Sequence, residues 1–225
     1  SYRDKDGKTW FPPRPTGEKI GPGAAAKSPV VLGGIDNATQ VACGANHTAV
    51  IRGDGSLWTF GLGEQGQLGR PVATELKLKD DDAYDIPSVT KHVSPAAVPS
   101  VSAKQVGCGG YHTLFVSTTR CEVFGFGLNQ YRQVIGSVSD AVVPAPRKLD
   151  FFDGKRVARV DGGEHYSAAL DEDGSLFLWG RSDQSQLGFV VTGENAPGSF
   201  RANPTRAGMP EGVLVEEFAC GSSHV

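Results

Sequence analysis

The sequence predicts an all-β fold, and within that class a β-propeller, from three observations. The chain of 225 residues contains 30 glycines and 14 prolines, which favour many short elements joined by tight turns. One motif recurs at intervals of 65, 53 and 59 residues, about the size of a four-stranded propeller blade. Each copy also contains short hydrophobic runs separated by turn residues, as β-hairpins do.

The repeat has three full copies and the start of a fourth. The copies cover residues 41–69, 106–136 and 160–188, and the fourth begins at residue 220. Four histidines anchor the alignment: His47, His112, His165 and His224. We therefore predict one incomplete propeller domain with these parts: 1–40, the end of one blade and a connector; 41–105, a repeat with a long acidic connector; 106–159 and 160–219, two further repeats; and 220–225, the start of another.

Turn residues divide each copy into strands. Asp54-Gly55 and Asp173-Gly174 lie between hydrophobic runs and predict tight hairpins. The middle copy has Ser117–Arg120 at this place and lacks the signal. Glycines at the start of each copy would allow the innermost strands to crowd around a central channel.

A G-x-G-x-x-G pattern at Gly61, Gly63 and Gly66 raises the question of a nucleotide site. Two of these glycines are not kept in the other copies, and no helical periodicity follows, although a dinucleotide site requires a helix N-terminus. What recurs is an aromatic-glycine pair followed six residues later by a glutamine: Gln67, Gln133 and Gln186. We predict turns here, and no cofactor.

The recurring histidines and cysteines could be mistaken for a chemical site. Equivalent positions of a propeller lie one blade apart, so we expect each imidazole to be buried against the backbone of a neighbouring blade rather than to join a metal site. Three cysteines share one register, with Asp161 in the third copy, and are predicted to be small buried side chains beside the channel: Cys43, Cys108 and Cys220.

Composition limits the partners. The chain is 39% hydrophobic and 21% charged, with a net charge of -3, which is typical of a globular protein without a general attraction to nucleic acid. No apolar run approaches the roughly 18 residues that a membrane span needs. No acid pair, nucleophile-base set or metal-ligand spacing indicates an enzyme or a small-molecule substrate.

The copies resemble the repeats of the regulator of chromosome condensation family. The resemblance is carried by a C-G-x-x-H-T start, a G-Q-L-G end, and the order of "GEQGQLGR" at 63–70, "VFGFGLNQYRQ" at 123–133 and "GGEHYSAALDEDG" at 162–174. It implies a seven-bladed propeller, of which this chain holds about four blades. It also implies a nuclear guanine-nucleotide exchange factor for the GTPase Ran, with chromatin or histones as further partners. The alternative is a non-catalytic scaffold for protein-protein interaction.

In the family, loops on one propeller face bind the GTPase. Asp4 matches an acidic residue of the first such loop, and Arg132 in "QYRQ" takes the place of a family histidine. The corresponding loops contain six further candidates: Glu64, Gln65, Gln130, Tyr131, Asp183 and Gln184. The alternative is that all eight are solvated turn residues.

The connector 71–95 matches a family segment that carries chromatin-binding arginines. Here it has three lysines and five carboxylates, a net charge of -2. An acidic segment is repelled by the acidic nucleosome surface, so we expect no nucleosome contact through this connector.

Overall fold

The computed structural model divides the chain into two units, Ser1–Asp36 and Asn37–Val225. It describes residues 2–3, 9–10, 35–71, 92–137, 139–188 and 199–225. In the first unit, strands β1 (Tyr2–Arg3) and β2 (Thr9–Trp10) pair antiparallel. Asp4 and connector residues 72–91 lie outside the described residues.

The described residues of the second unit form three four-stranded antiparallel blades. Blade 1 consists of β3 (Ala38–Cys43), β4 (His47–Arg52), β5 (Ser56–Leu62) and the first part of β6 (His92–Cys108). Blade 2 consists of the rest of β6, β7 (His112–Ser117), β8 (Val123–Leu128) and β9 (Val142–Lys148). Blade 3 consists of β10 (Val157–Gly162), β11 (Tyr166–Asp171), β12 (Leu176–Arg181) and β13 (Phe200–Arg206). The prediction of an all-β fold is confirmed.

Strand β6 serves two blades. Up to Ser102 it pairs with β5 of blade 1, and from Ala103 onwards it pairs with β7 of blade 2. Ser100, which has a φ of 57°, lies just before this change of partner. Blades 2 and 3 share no strand, because a 3-10 turn at Asp150–Phe152 separates β9 from β10. The predicted boundary after Gln105 falls inside β6.

Neighbouring blades are held together by apolar packing and by glutamine side chains. Buried residues of blades 1 and 2 form one core cluster, and those of blades 2 and 3 form another. The Gln40 amide bonds both the N–H and the C=O of Val106, at 3.0 and 3.3 Å. Gln105 holds Val160 in the same way, at 2.7 and 2.9 Å. The inner strands of blades 1 and 2 are therefore each fixed to the inner strand of the next blade.

The aromatic-glycine pairs end the third strand of each blade. Gly61, Gly127 and Gly180 have φ values of 105°, 114° and 103°, in the left-handed region that glycine tolerates. A Cβ at Gly127 would lie 2.5 Å from the carbonyl oxygen of Tyr111. No helix follows Gly61 within 62–71, so the G-x-G-x-x-G match is part of a strand end and a turn.

The structure corrects the predicted register of the third copy. A hydrogen bond of 2.8 to 3.0 Å closes the start of every copy: Gly44 N to His47 O, Gly109 N to His112 O, Gly163 N to Tyr166 O and Gly221 N to His224 O. Tyr166, and not His165, therefore occupies the histidine position. By the same register, Gly162 and not Asp161 is equivalent to Cys43, Cys108 and Cys220.

The buried histidines bind side-chain hydroxyls of the next blade. His47 Nε2 lies 2.9 Å from Thr113 Oγ1, and His112 Nε2 lies 2.8 Å from Ser167 Oγ. The expected partner was the backbone of a neighbouring blade. The backbone of His112 acts on His47 in this way, and the Tyr166 hydroxyl donates to the carbonyl oxygens of Gly221 and His224. These contacts show a structural role for His47 and His112.

Two smaller expectations also change. The middle copy forms its hairpin without an Asp-Gly pair, because Cys121 adopts a φ of 56° and Ser117 exchanges hydrogen bonds with Glu122. Of the three cysteines that share a register, Cys108 is buried, but Cys43 is exposed. Position 43 lies on the inner strand of blade 1, which no described blade covers.

Candidate protein-binding face

Two sets of loops lie at one edge of the blades. The first set joins the first and second strands of each blade, at 44–46, 109–111 and 163–165; the second set follows the third strand, at 63–67, 129–133 and 182–186. Backbone hydrogen bonds of 2.7 to 3.0 Å join the two sets: Leu62 N to Asn46 O, Leu128 N to Tyr111 O and Arg181 N to His165 O. We call this edge the loop face.

Each turn of the second set is built around a buried glutamine. The side-chain oxygens of Gln67, Gln133 and Gln186 accept hydrogen bonds of 2.8 to 2.9 Å from the backbone N–H two residues earlier, in Gln65, Tyr131 and Gln184. The recurring glutamines are thus structural. They hold the predicted candidates at the loop tips, where Glu64, Gln130 and Gln184 are exposed and Gln65, Tyr131 and Asp183 are half-buried.

Arg132 lies in the turn of blade 2 at a left-handed position, with a φ of 60°. The equivalent residues, Gly66 and Ser185, have φ values of 73° and 58°. The Arg132 guanidinium donates to Ser139 O at 3.0 Å and lies 5.9 Å from the ring centre of Phe200 in blade 3. Arg132 is therefore on the loop face, with its side chain directed towards the boundary between blades 2 and 3.

Five side chains form a continuous chain of contacts across the same boundary. The rings of Tyr111 and His165 are 6.1 Å apart at 17°, and those of His165 and Tyr131 are 5.3 Å apart at 48°. The Arg181 guanidinium lies 5.1 Å from the ring centre of Tyr131 and donates to both oxygens of Asp183, at 2.7 and 3.0 Å. We call this group the aromatic-arginine cluster. It brings together two predicted candidates, Tyr131 and Asp183.

The cluster combines a histidine ring with one ion pair. Burial lowers the pKa of His165, although Glu164 acts in the opposite direction, so its imidazole is neutral near pH 7. The bond to Asp183 holds the pKa of Arg181 above its ordinary value. The Asp183 side chain is only 6% exposed, and Arg181 compensates its charge.

The sequence pattern does not indicate Tyr111 or Arg181 as site residues, and it marks His165 only as an anchor of the repeat. A signal was available in the aligned copies, since the positions equivalent to Arg181 hold Leu62 and Leu128. The fold does not require a charged residue at a position that is apolar in the other two copies. The repeat was recognised from the residues that all copies share, and position 181 differs between the copies.

The sequence matches the family described as Regulator of chromosome condensation (RCC1) repeat over residues 54–116, 122–170 and 173–225. A second description of the same repeat matches residues 38–67 and 103–133. Together with the repeated blades, these matches decide the family. The chain belongs to the regulator of chromosome condensation family.

Two relatives of similar identity to this chain carry names that indicate different activities. The guanine nucleotide exchange factor SRM1 of Saccharomyces cerevisiae is 30% identical over 197 residues, which cover 84% of this chain and 38% of SRM1. The ultraviolet-B receptor UVR8 of Arabidopsis thaliana is 31% identical over 201 residues, covering 88% of this chain and 41% of the receptor. The chain thus spans about two fifths of the length of these relatives.

A solved structure confirms the propeller fold. The crystal structure of Prp20p from Saccharomyces cerevisiae, reported with its binding to Gsp1p and histones, has a TM-score of 0.68 and 23% identity. The similarity covers 88% of this chain and 44% of Prp20p. The described blades of this chain therefore share the propeller fold of Prp20p. In the described part of the chain, no helix has the length and hydropathy of a transmembrane segment.

Proposed function

We propose that this protein is a guanine-nucleotide exchange factor for the small GTPase Ran, and that its loop face binds the nucleotide-free GTPase. The observation that carries the proposal is the set of three equivalent turns, each held by a buried glutamine, on one edge of adjacent blades. The exchange-factor name of SRM1, which shares these repeats, supports it.

An arrangement of this kind suits an exchange factor, because exchange makes no covalent bond. A protein that binds the nucleotide-free GTPase more tightly than the loaded one must, by reciprocity, weaken nucleotide binding by the same factor. A 10⁵-fold faster release corresponds to about 7 kcal/mol of differential stabilisation. An extended surface with several preformed loops can supply this energy without a catalytic group.

The predicted contact residues remain part of the proposal. We assign Asp4 and Arg132 to GTPase binding. Glu64, Gln130 and Gln184 are further candidates, exposed on the loop face. The resemblance also supports residence in the nucleus, and the reported binding of Prp20p to histones supports histones as a second partner. The acidic connector 71–95 is not the proposed histone contact, because its net charge is -2.

The test is nucleotide release from Ran loaded with a fluorescent GDP analogue, measured with the full-length protein. We expect acceleration by the wild type and slower exchange by Asp4→Ala and Arg132→Ala, with unchanged melting temperatures. Asp173→Ala is the matched control, since Asp173 is exposed in the hairpin turn between β11 and β12, at the other end of blade 3 from the loop face. Equal exchange rates for the Arg132 and Asp173 variants would reject the assignment of Arg132.

The second candidate is a protein-protein scaffold that does not act on a GTPase. It is favoured by the receptor name of UVR8, which is as similar to this chain as SRM1 is. Capture of nucleotide-free Ran by the full-length protein separates the two functions. Binding that GDP or GTP abolishes supports exchange, whereas binding to other proteins without any effect of nucleotide supports the scaffold.

A further inference from the structure

We propose that Arg181 is a positioning residue, which joins the loop tips of blades 2 and 3 into one preformed docking unit through the aromatic-arginine cluster. This inference rests on the proposed function, because it assigns a role within the loop face. It concerns a residue that does not itself need to touch the GTPase.

The contacts of Arg181 connect two turns that belong to different blades. Its guanidinium holds Asp183 in the turn of blade 3 through two hydrogen bonds and lies over the ring of Tyr131 in the turn of blade 2. The planar guanidinium suits both contacts at once, since it can donate in parallel and stack on an aromatic face. One side chain therefore fixes the distance between the two tips.

The first set of loops strengthens this connection. His165 of blade 3 contacts Tyr131 and Tyr111, which belong to the two loops of blade 2. Because its imidazole is neutral near pH 7, it can pack in the cluster without adding a second charge beside Arg181. The ring of Tyr131 is thus held from two sides, by His165 and by Arg181.

The boundary between blades 1 and 2 shows that the fold does not require an aromatic-arginine cluster. The residues equivalent to Tyr131, Arg181 and Asp183 at that boundary are Gln65, Leu128 and Gln130. Blades 1 and 2 nevertheless pack through a buried core and a glutamine contact, as blades 2 and 3 do. The Arg181–Asp183 pair is only partly buried, with side chains 26% and 6% exposed, and such a pair is weak evidence for stability. Its presence at one boundary therefore points to a function of the loop face.

Fixing the tips before binding reduces the entropy lost on docking. Side chains and loops that become ordered at an interface reduce its affinity, and a preformed surface avoids this cost. Removing the cluster should therefore raise KM for the GTPase and leave the release step, kcat, nearly unchanged. General unfolding would instead lower the active concentration and hence the apparent kcat.

The principal variant is the double substitution Arg181→Leu with Asp183→Gln in the full-length protein. It introduces the residues that blade 2 holds at the equivalent positions, and it avoids leaving Asp183 buried without its cation. Arg159→Leu is the matched control, because the Arg159 guanidinium also lies over an aromatic ring, that of Phe218 at 5.3 Å, but on the inner strand β10. Arg181→Lys keeps the charge and loses the planar geometry.

Two measurements decide the inference. In the double variant, amide hydrogen exchange at Tyr131 and Gln184 should become about tenfold faster, which corresponds to about 1.4 kcal/mol. The amide of Gln65 in blade 1 serves as the internal reference. The KM for GDP-loaded Ran should rise about tenfold, with kcat within twofold of the wild type. Arg181→Lys should give intermediate values, and Arg159→Leu should change neither quantity.

The outcomes separate this inference from the proposed function. Unchanged protection of Tyr131 and Gln184 in the folded double variant would overturn the positioning role, whether or not Ran is the partner. Faster amide exchange with an unchanged KM would show that the cluster orders the tips but that docking does not use this order, which also overturns the inference. If the wild type does not accelerate release from Ran, the proposed function fails, and the amide exchange alone decides whether Arg181 orders the tips.

Discussion

The two buried histidines predict that the protein loses stability as the pH falls. His47 and His112 are 3% and 0% exposed, and each bonds a hydroxyl of the next blade. Burial lowers the pKa of His47 to about 4 and that of His112 to about 3. Both imidazoles are therefore neutral in the native state throughout the range in which a histidine of the unfolded chain becomes protonated.

The sign and size of the effect follow from proton linkage. An unfolded histidine has a pKa of about 6.5, so below this pH the unfolded state binds a proton that the native state does not, and stability decreases. Stability is fully present above pH 6.5 and is lost as the pH falls towards the folded pKa values. At pH 5.5 each histidine lowers the free energy of unfolding by about 1.4 kcal/mol, or about 3 kcal/mol for the pair. The pKa of His165 is also lowered, which acts in the same direction.

The assay is urea unfolding of the full-length protein at pH 7.5, 6.5 and 5.5. His112→Gln will be less stable at every pH, because it loses a buried contact. Between pH 7.5 and 5.5, however, it should lose about 1.4 kcal/mol less stability than the wild type does. The exposed His224 provides the control, and His224→Gln should keep the wild-type pH dependence. A wild-type free energy that is constant within about 0.5 kcal/mol over this range, or an unchanged slope in His112→Gln, would refute the reasoning.

Three further predictions concern single contacts. Gln105→Ala removes two hydrogen bonds to Val160 and leaves a buried N–H and C=O without these partners, so the free energy of unfolding in urea should fall by about 2 to 3 kcal/mol. A decrease below about 0.5 kcal/mol would contradict the role of this contact. Gly127→Ala places a Cβ 2.5 Å from Tyr111 O at a positive φ, so the melting temperature should fall by an amount equivalent to about 2 kcal/mol or more. An unchanged melting temperature would show that the backbone can move aside. In Arg132→Gly the new residue suits the left-handed φ of that position, so the free energy of unfolding should stay within about 1 kcal/mol of the wild type. Binding of nucleotide-free Ran should weaken, and wild-type affinity would contradict the proposed contact.

The repeated part of the fold could be predicted because it depends on local signals. Asp54-Gly55 and Asp173-Gly174 form the hairpin turns that their sequence predicts, and the recurring glutamines mark turns in all three blades. The register of the third copy could not be predicted from the motif alone. Its sequence offers His165 and Tyr166 side by side, and only the strand pairing selects Tyr166 for the buried position.

The candidate site was less predictable than the blades. Sequence reasoning placed Tyr131 and Asp183 in corresponding loops, but the contact between them passes through Arg181, and His165 reaches Tyr131 from another blade. Contacts between residues so far apart in the chain depend on how the blades stack, which hairpin patterns do not specify. Asp4 lies outside the described residues, so its role stays a prediction.

The continuity of β6 determines where this assembly yields under mechanical tension. Blades 1 and 2 are joined by one 17-residue strand, and pulling them apart requires the ladders on that strand to be sheared. Between blades 2 and 3 the chain crosses through a short 3-10 turn, and the Gln105 contacts and core packing resist separation there without a common strand. The weaker seam is therefore the one that the aromatic-arginine cluster spans.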